Sequence, residues 1–150
     1  MLHSILKTMQ TITVTTTINK PLGEVWNAFT FPSHINEWCH AGDDWAAKDA
    51  VNDVTVGGRF STTMYAKDNS ASFDFSGTYT EVIKNTKLAY LMDGDDARTV
   101  QIFFEAIDER VTQVTEIFDP EEENSEELQR AGWQSILDNF KKYVEEVGGN

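Results

Sequence analysis

From Gly58 to Phe118 the chain reads as one β-run after another, with breaks too short for anything but an antiparallel meander. GRFSTTMYA, SFDFSGTYTEVI, KLAYLM, TVQIFFEAI and VTQVTEIF are rich in β-branched and aromatic residues, the types that suit a pleated, half-buried surface. Between the later runs stand only Asn85-Thr86, Asp93-Gly94-Asp95-Asp96 and Asp108-Glu109. A parallel crossover takes about a dozen residues or more, so successive runs must lie side by side and antiparallel. Upstream, ITVTTTI up to Ile18 alternates in the same way and makes a first strand.

Two short helices separate that strand from the meander. Asn19 is a cap candidate, Pro21 sits in the first helical turn, and Glu24 lies at the positive end of the helix dipole. Leu22, Val25, Trp26 and Phe29 then recur at helical spacing until Pro32 stops the helix. Ser33 is placed to cap a second helix, His34 to Trp38. Gly42 to Asp53 is polar and acidic, and Gly57-Gly58 marks a turn or bulge.

After the meander comes an acidic run, Asp119 to Glu127, in which Asn124 and Glu127 have capping-box spacing. Leu128, Trp133, Ile136, Leu137, Phe140, Val144 and Val147 follow on one stripe, and Gly148-Gly149 ends it. A helix of about 20 residues spans about 30 Å, enough to cross the concave face of a twisted sheet. The expected fold is therefore α+β: a strongly curved antiparallel sheet of six to seven strands wrapped on a long C-terminal helix. Such a sheet leaves a space beneath the helix. Trp38, Trp45, Phe60, Met64, Phe75, Tyr90, Phe103, Trp133 and Leu137 are the side chains expected to line it, with Trp38 and Trp45 at its mouth. Trp26 is assigned to ordinary helix-to-sheet packing. Gly132 costs about 1 kcal/mol relative to alanine inside a helix, which points either to a close neighbour or to room beside the helix.

At 150 residues and 17.0 kDa the chain has the size of one domain, large enough to bury roughly 70% of its unfolded surface. Residues 11–150 are read as that domain and residues 1–10 as an N-terminal extension, within which Met9 is an alternative start. Twelve Lys and Arg against 25 Asp and Glu leave a formal charge of −13, which disfavours nucleic acid and anionic membrane surfaces. The single cysteine, Cys39, forms no internal disulfide, and no apolar run approaches the roughly 18 to 20 residues of a membrane span. A cytoplasmic location is expected.

The order PLGEVWNAFTFPSHINEW, GGRF, FSGTYTEVIKNTKLAYLM, TVQIFFEAIDERVTQVTEIFDP and AGWQSILDNFKKYVEE resembles the family named for the activator of the heat-shock-protein-90 ATPase (AHSA-type), within the START-like, Bet v 1-like superfamily. The likeness runs from about Thr11 to Val147 and is carried jointly by Val25-Trp26, Trp38, Gly57-Gly58-Arg59-Phe60, Gly77, Glu81-Val82 and Gly132-Trp133. It implies a helix-grip fold with a hydrophobic cavity between sheet and long helix. Family members acting as co-chaperones carry a further N-terminal domain with no counterpart here, which puts a chaperone role second.

Several groups are of types that ligate metals or carry acid–base chemistry. His34, Cys39, His40, Asp43 and Asp44 are all metal-ligand types, but their spacing matches no standard zinc pattern. Cys39 lacks an evident orienting group for pairing with His34 or His40 as a nucleophile. Asp74, Glu81, Tyr65, Tyr79 and Arg59 are the strand-borne acid–base candidates; if Phe73 and Phe75 point inward, alternation sends Asp74 to solvent. Glu81 is expected to bond to a turn or to Arg59. No phosphate loop, catalytic triad order or dinucleotide fingerprint is present. The expectation is non-enzymatic binding of a small hydrophobic or aromatic molecule, with no catalytic residue, metal or cofactor, as monomer or homodimer. The alternative is a module for a chaperone or other protein, steered by the acidic loops around Asp43, Asp93 to Asp96 and Glu121 to Glu127. A cyclase or hydrolase would require a cavity residue with a strongly shifted pKa.

Overall fold

A computed structural model describes residues 10–148; most of the expected N-terminal extension, including Met9, and Gly149 of the expected helix stop lie outside them. Ten elements follow in order: β1 (Ile12–Ile18), α1 (Leu22–Thr30), α2 (Pro32–Trp38), β2 (Trp45–Asn52), β3 (Arg59–Ala66), β4 (Ser72–Ile83), β5 (Lys87–Met92), β6 (Thr99–Asp108), β7 (Val111–Phe118) and α3 (Glu126–Val147). One sheet holds all seven strands in the order β1-β7-β6-β5-β4-β3-β2. Every pairing is antiparallel. The meander is thus uninterrupted from β2 to β7, and β1 closes on β7 after the helical detour. This is the expected α+β helix-grip arrangement, and among the described residues no helix is long and apolar enough to cross a membrane.

β2 lies within the stretch that reads as merely polar and acidic. Its pairing with β3 shifts register between Lys48 and Val51, and Asp49 takes a positive φ of 57° there. A bulge of this kind interrupts the period-two alternation by which a strand is recognised.

The helix starts also differ from expectation. Pro21 occupies the N-cap of α1 in extended geometry, while the Asn19 backbone N–H donates to Glu145 Oε2 at 2.8 Å. In α2 Pro32 opens the helix after Phe31, so Ser33 is inside it. Ser125, not Asn124, caps α3: its hydroxyl accepts from the Leu128 N–H at 3.1 Å. Glu121 holds Asn124 instead, accepting its N–H at 2.7 Å. Leu128 and Val147, expected on the buried stripe, are exposed, and Gln129 is buried. Gln129 belongs there because its carboxamide knots the preceding loop, accepting from the Glu121 N–H and donating to the Glu121 and Asn124 carbonyls.

Both sheet edges are covered, which removes the unpaired backbone an edge strand would offer. On β1, Gln134 donates to the Thr15 carbonyl at 3.1 Å and Lys141 to the Thr17 carbonyl, both from α3. On β2, Asn36 of α2 accepts from the Ala50 N–H at 2.9 Å. The core between helices and sheet is aromatic. Phe29, Trp38 and Phe140 pack with ring centroids 4.7 to 5.2 Å apart, and Trp26 meets Phe104 edge-on at 5.0 Å, as expected for helix-to-sheet packing. Gly77 is needed where β4 passes under Phe60. A Cβ there would lie 2.5 Å from the Leu91 carbonyl oxygen and 2.9 Å from the Phe60 ring.

Candidate functional site

The sheet curls away from the middle of α3 and leaves an open cavity of about 260 Å³. Trp133 and Ile136 roof it from α3, Phe60 and Met64 come from β3, Phe75 and Tyr79 from β4, and Tyr90 from β5. Phe60 is the hub of the ring wall, with centroids 5.6 Å from Phe75, 5.3 Å from Tyr79 and 4.7 Å from Tyr90. Trp133 is held in place by stacking on Phe118 at 3.9 Å, a contact worth about 0.5–1.5 kcal/mol beyond area burial. Val51 and Phe73 also line the space, and their exposures of 59% and 51% mark the mouth.

Of the nine side chains expected around the space, Trp38, Phe60, Met64, Phe75, Tyr90 and Trp133 line it. Three do not. Phe103 is on the outer face beneath Lys87, whose Nζ lies 5.2 Å from the ring, because Val100, Ile102 and Phe104 take the inward positions of β6. Leu137 is wholly buried in the core beside Phe140 and Val144. Trp45 packs on Phe73 at 5.9 Å, off the cavity. Trp38 lines the interior and not the mouth; it is buried, with its indole N–H donating to the Ala28 carbonyl at 2.8 Å. Gly132 has room beside it, since a Cβ there would meet nothing within 4 Å.

Few polar groups face inward. The Tyr79 hydroxyl donates to Asn52 Oδ1 at 2.6 Å, and Asn52 donates in turn to the Thr30 carbonyl at 2.7 Å, so that pair is satisfied within the protein. Glu116 is different. It stands on the inward face of β7 between Val114 and Phe118, 8% exposed, and lines the cavity. Burial alone pushes its carboxyl up to about 8, with no hydrogen bond or cation among the described residues to offset it. Cys39 also lines the cavity, and burial, reinforced by Glu116, pushes its thiol up to about 12. Burial, then Glu116, likewise raise the Tyr90 phenol well above its ordinary value. Sequence reasoning passed over Glu116, although the alternation Thr112, Val114, Glu116, Phe118 placed it on the core face.

The other chemical candidates are dispersed. Asp74 points outward and accepts from the Thr63 hydroxyl at 2.7 Å. Glu81 pairs with Lys87 at 2.7 Å and not with Arg59. Arg59 grips Asp93 with two hydrogen bonds of 2.8 and 2.5 Å, holding that exposed carboxyl down at about 2. Tyr65 lies on the outer face under Lys48. His34 shares a 2.6 Å hydrogen bond with the Tyr143 hydroxyl, and His40 meets Gly42 O and Asn139; neither histidine activates Cys39. Among the described residues, no three metal-ligand types come together.

A family model for Activator of Hsp90 ATPase homolog 1-like proteins matches residues 19–145. An AHSA1-like protein from Aeromonas hydrophila, solved by NMR, is 42% identical, with a TM-score of 0.84 over 91% of this chain and 93% of that one. Chr148 from Cytophaga hutchinsonii is 44% identical, with a TM-score of 0.76 over 90% and 92% of the two chains. CV1439 from Chromobacterium violaceum, at 20% identity, shares the fold with a TM-score of 0.80 over 91% and 98%. No protein of curated function matches. The chain belongs to the Activator of Hsp90 ATPase homolog 1-like family.

Proposed function

We propose that this protein is a cytoplasmic binding domain that takes one small apolar or aromatic molecule into the cavity beneath α3, without chemical turnover. The observation that carries this reading is an open, ring-lined space in the middle of the core. Unfilled apolar space costs stability in proportion to its volume, and pockets of this composition are typical ligand sites. At about 260 Å³ the cavity suits a body of one or two rings. Each 100 Å² of apolar ligand surface removed from water contributes about 2.5 kcal/mol before the costs of association.

Among the described residues, the protonation states leave the cavity without a general base, while the protonated Glu116 has the form of a general acid with no base to complete a pair. Glu116 has the shifted pKa a catalyst would need, yet at pH 7 it is largely protonated, and Cys39 and Tyr90 are held neutral beside it. None of these three is ready to accept a proton.

Titration calorimetry with 1-naphthalenemethanol tests the site. Met64→Gln, inside the cavity, is expected to weaken binding at least about fivefold, whereas Phe103→Gln, outside it, leaves affinity within about twofold. Equal affinity of the Met64→Gln variant and the parent protein contradicts the assignment.

A further inference from the structure

We propose that the cavity selects an organic amine carried on a one- or two-ring apolar body, and that Glu116 of β7 recognises its nitrogen. This deepens the cavity reading and rests on it.

Among the described residues, Glu116 is the only carboxylate lining the cavity. It is more than nine-tenths buried, and among the described residues neither a hydrogen bond nor a cation meets it. A buried polar group without a partner is costly, and replacing it by an apolar side chain is normally stabilising. The position therefore carries a cost that an incoming ammonium would relieve. Among the described residues Arg98 is the one cationic side chain in the lining; its Nε lies 2.8 Å from Asp96 Oδ2 without hydrogen-bond geometry, and it exerts no pull on the Glu116 carboxyl. Around Glu116 the space is walled by the rings of Phe60, Phe75, Tyr79, Tyr90 and Trp133, whose faces attract a desolvated cation. At long range a formal charge of −13 gathers cations and repels anions. A neutral ligand would use the apolar and aromatic walls and at most one hydrogen bond from the carboxyl, leaving the charge of the carboxylate and the long-range field without a role.

Proton balance gives the inference a signature. At pH 7 Glu116 is mostly protonated and an alkylamine is an ammonium ion. Their complex holds one proton fewer than the separated partners, whether it is written ammonium–carboxylate or amine–carboxylic acid, so nearly one proton passes to the buffer. Other groups facing Glu116 leave this count unchanged. Cys39 after α2, Tyr79 of β4 and Tyr90 of β5 are all pushed up and stay neutral. Phe29 of α1, Asn52 of β2, Thr62 and Met64 of β3, and Trp133 and Ile136 of α3 do not titrate.

The experiment is calorimetry of the parent protein and Glu116→Gln with 1-naphthylmethylamine, 1-naphthalenemethanol and 1-naphthoate at pH 7, in phosphate and in MOPS. The parent should bind the amine at least about tenfold more tightly than the alcohol, and 1-naphthoate most weakly. Amine binding should release close to one proton, read from the difference between buffers, and alcohol binding none. Glu116→Gln should abolish proton release and the amine's advantage while holding alcohol affinity within about threefold. In the parent alone, amine affinity should rise about tenfold per pH unit from pH 6 towards 8 and then level. Equal binding of amine and alcohol, an advantage that survives Glu116→Gln, or a flat pH profile overturns the inference and leaves the cavity reading intact. Failure of the parent to bind any of the three overturns both.

Discussion

Burial raises the Glu116 carboxyl from an ordinary 4.5 to about 8, so between those values the folded chain holds a proton that the unfolded chain has released. Folding stability must then fall as pH rises through this window, by about 1.4 kcal/mol per unit, with the whole penalty reached above the folded value. Glu116→Gln removes the charge and keeps the shape. Its stability advantage over the parent should grow from near zero at about pH 4 to roughly 3 kcal/mol at pH 7, measured by urea unfolding. An advantage that does not change with pH would show that the carboxyl is not a buried acid. Asp93 has the opposite sign: Arg59 and Ser76 hold it at about 2, so its contribution is present above the ordinary carboxylate value and is lost as pH falls towards 2. Alternation fixes which face of a strand each residue takes. Val100, Ile102 and Phe104 define the inner face of β6, and two adjacent phenylalanines obscured which ring belonged to it. Glu116 was legible by the same rule, but a carboxylate in an inward slot contradicts the usual meaning of that slot.

At the level of elements, the two glycines that punctuate β4 and α3 answer differently to a methyl group. Gly77→Ala drives a Cβ into the Leu91 carbonyl and the Phe60 ring, and should cost about 1–3 kcal/mol because a backbone atom and a packed ring must both shift. Gly132→Ala meets open space and should gain up to about 1 kcal/mol from helix propensity. Chemical denaturation of both variants checks the pair. A gain at Gly77, or a loss at Gly132, would mean that the packing around β4 or α3 is other than described. The β-meander and α3 were plain in the sequence because they are long and periodic. β2 was not: it is an edge strand broken by a bulge at Asp49, and the helix α2 covers its edge, so its residues follow neither the alternation nor the composition of a free-standing strand. The first two helix starts moved because prolines supply the geometry that a side-chain cap would otherwise supply, and the third moved by one residue because Ser125 caps it while Glu121 holds Asn124.

For the whole molecule, element order alone dictates a sheet gripping a helix, since a meander of this length and a helix of some 22 residues have one another's apolar faces to cover. Whether the grip is tight or hollow depends on sheet curvature and on which rings turn inward, neither of which is written locally. The hollow found here is open, and the chain carries a formal charge of −13, so cationic ligands should bind faster at low salt than at high salt while neutral ones are indifferent. Native mass spectrometry of the freshly purified protein, before and after solvent extraction and again after exposure to 1-naphthalenemethanol and 1-naphthylmethylamine, tests the cavity most directly. Cavity binding predicts one small organic species per chain, of roughly one to two hundred daltons, carried through purification or taken up on exposure and lost on unfolding. A chain that stays at its apo mass throughout would contradict it, and would leave the acidic surface as the place to look for a protein partner.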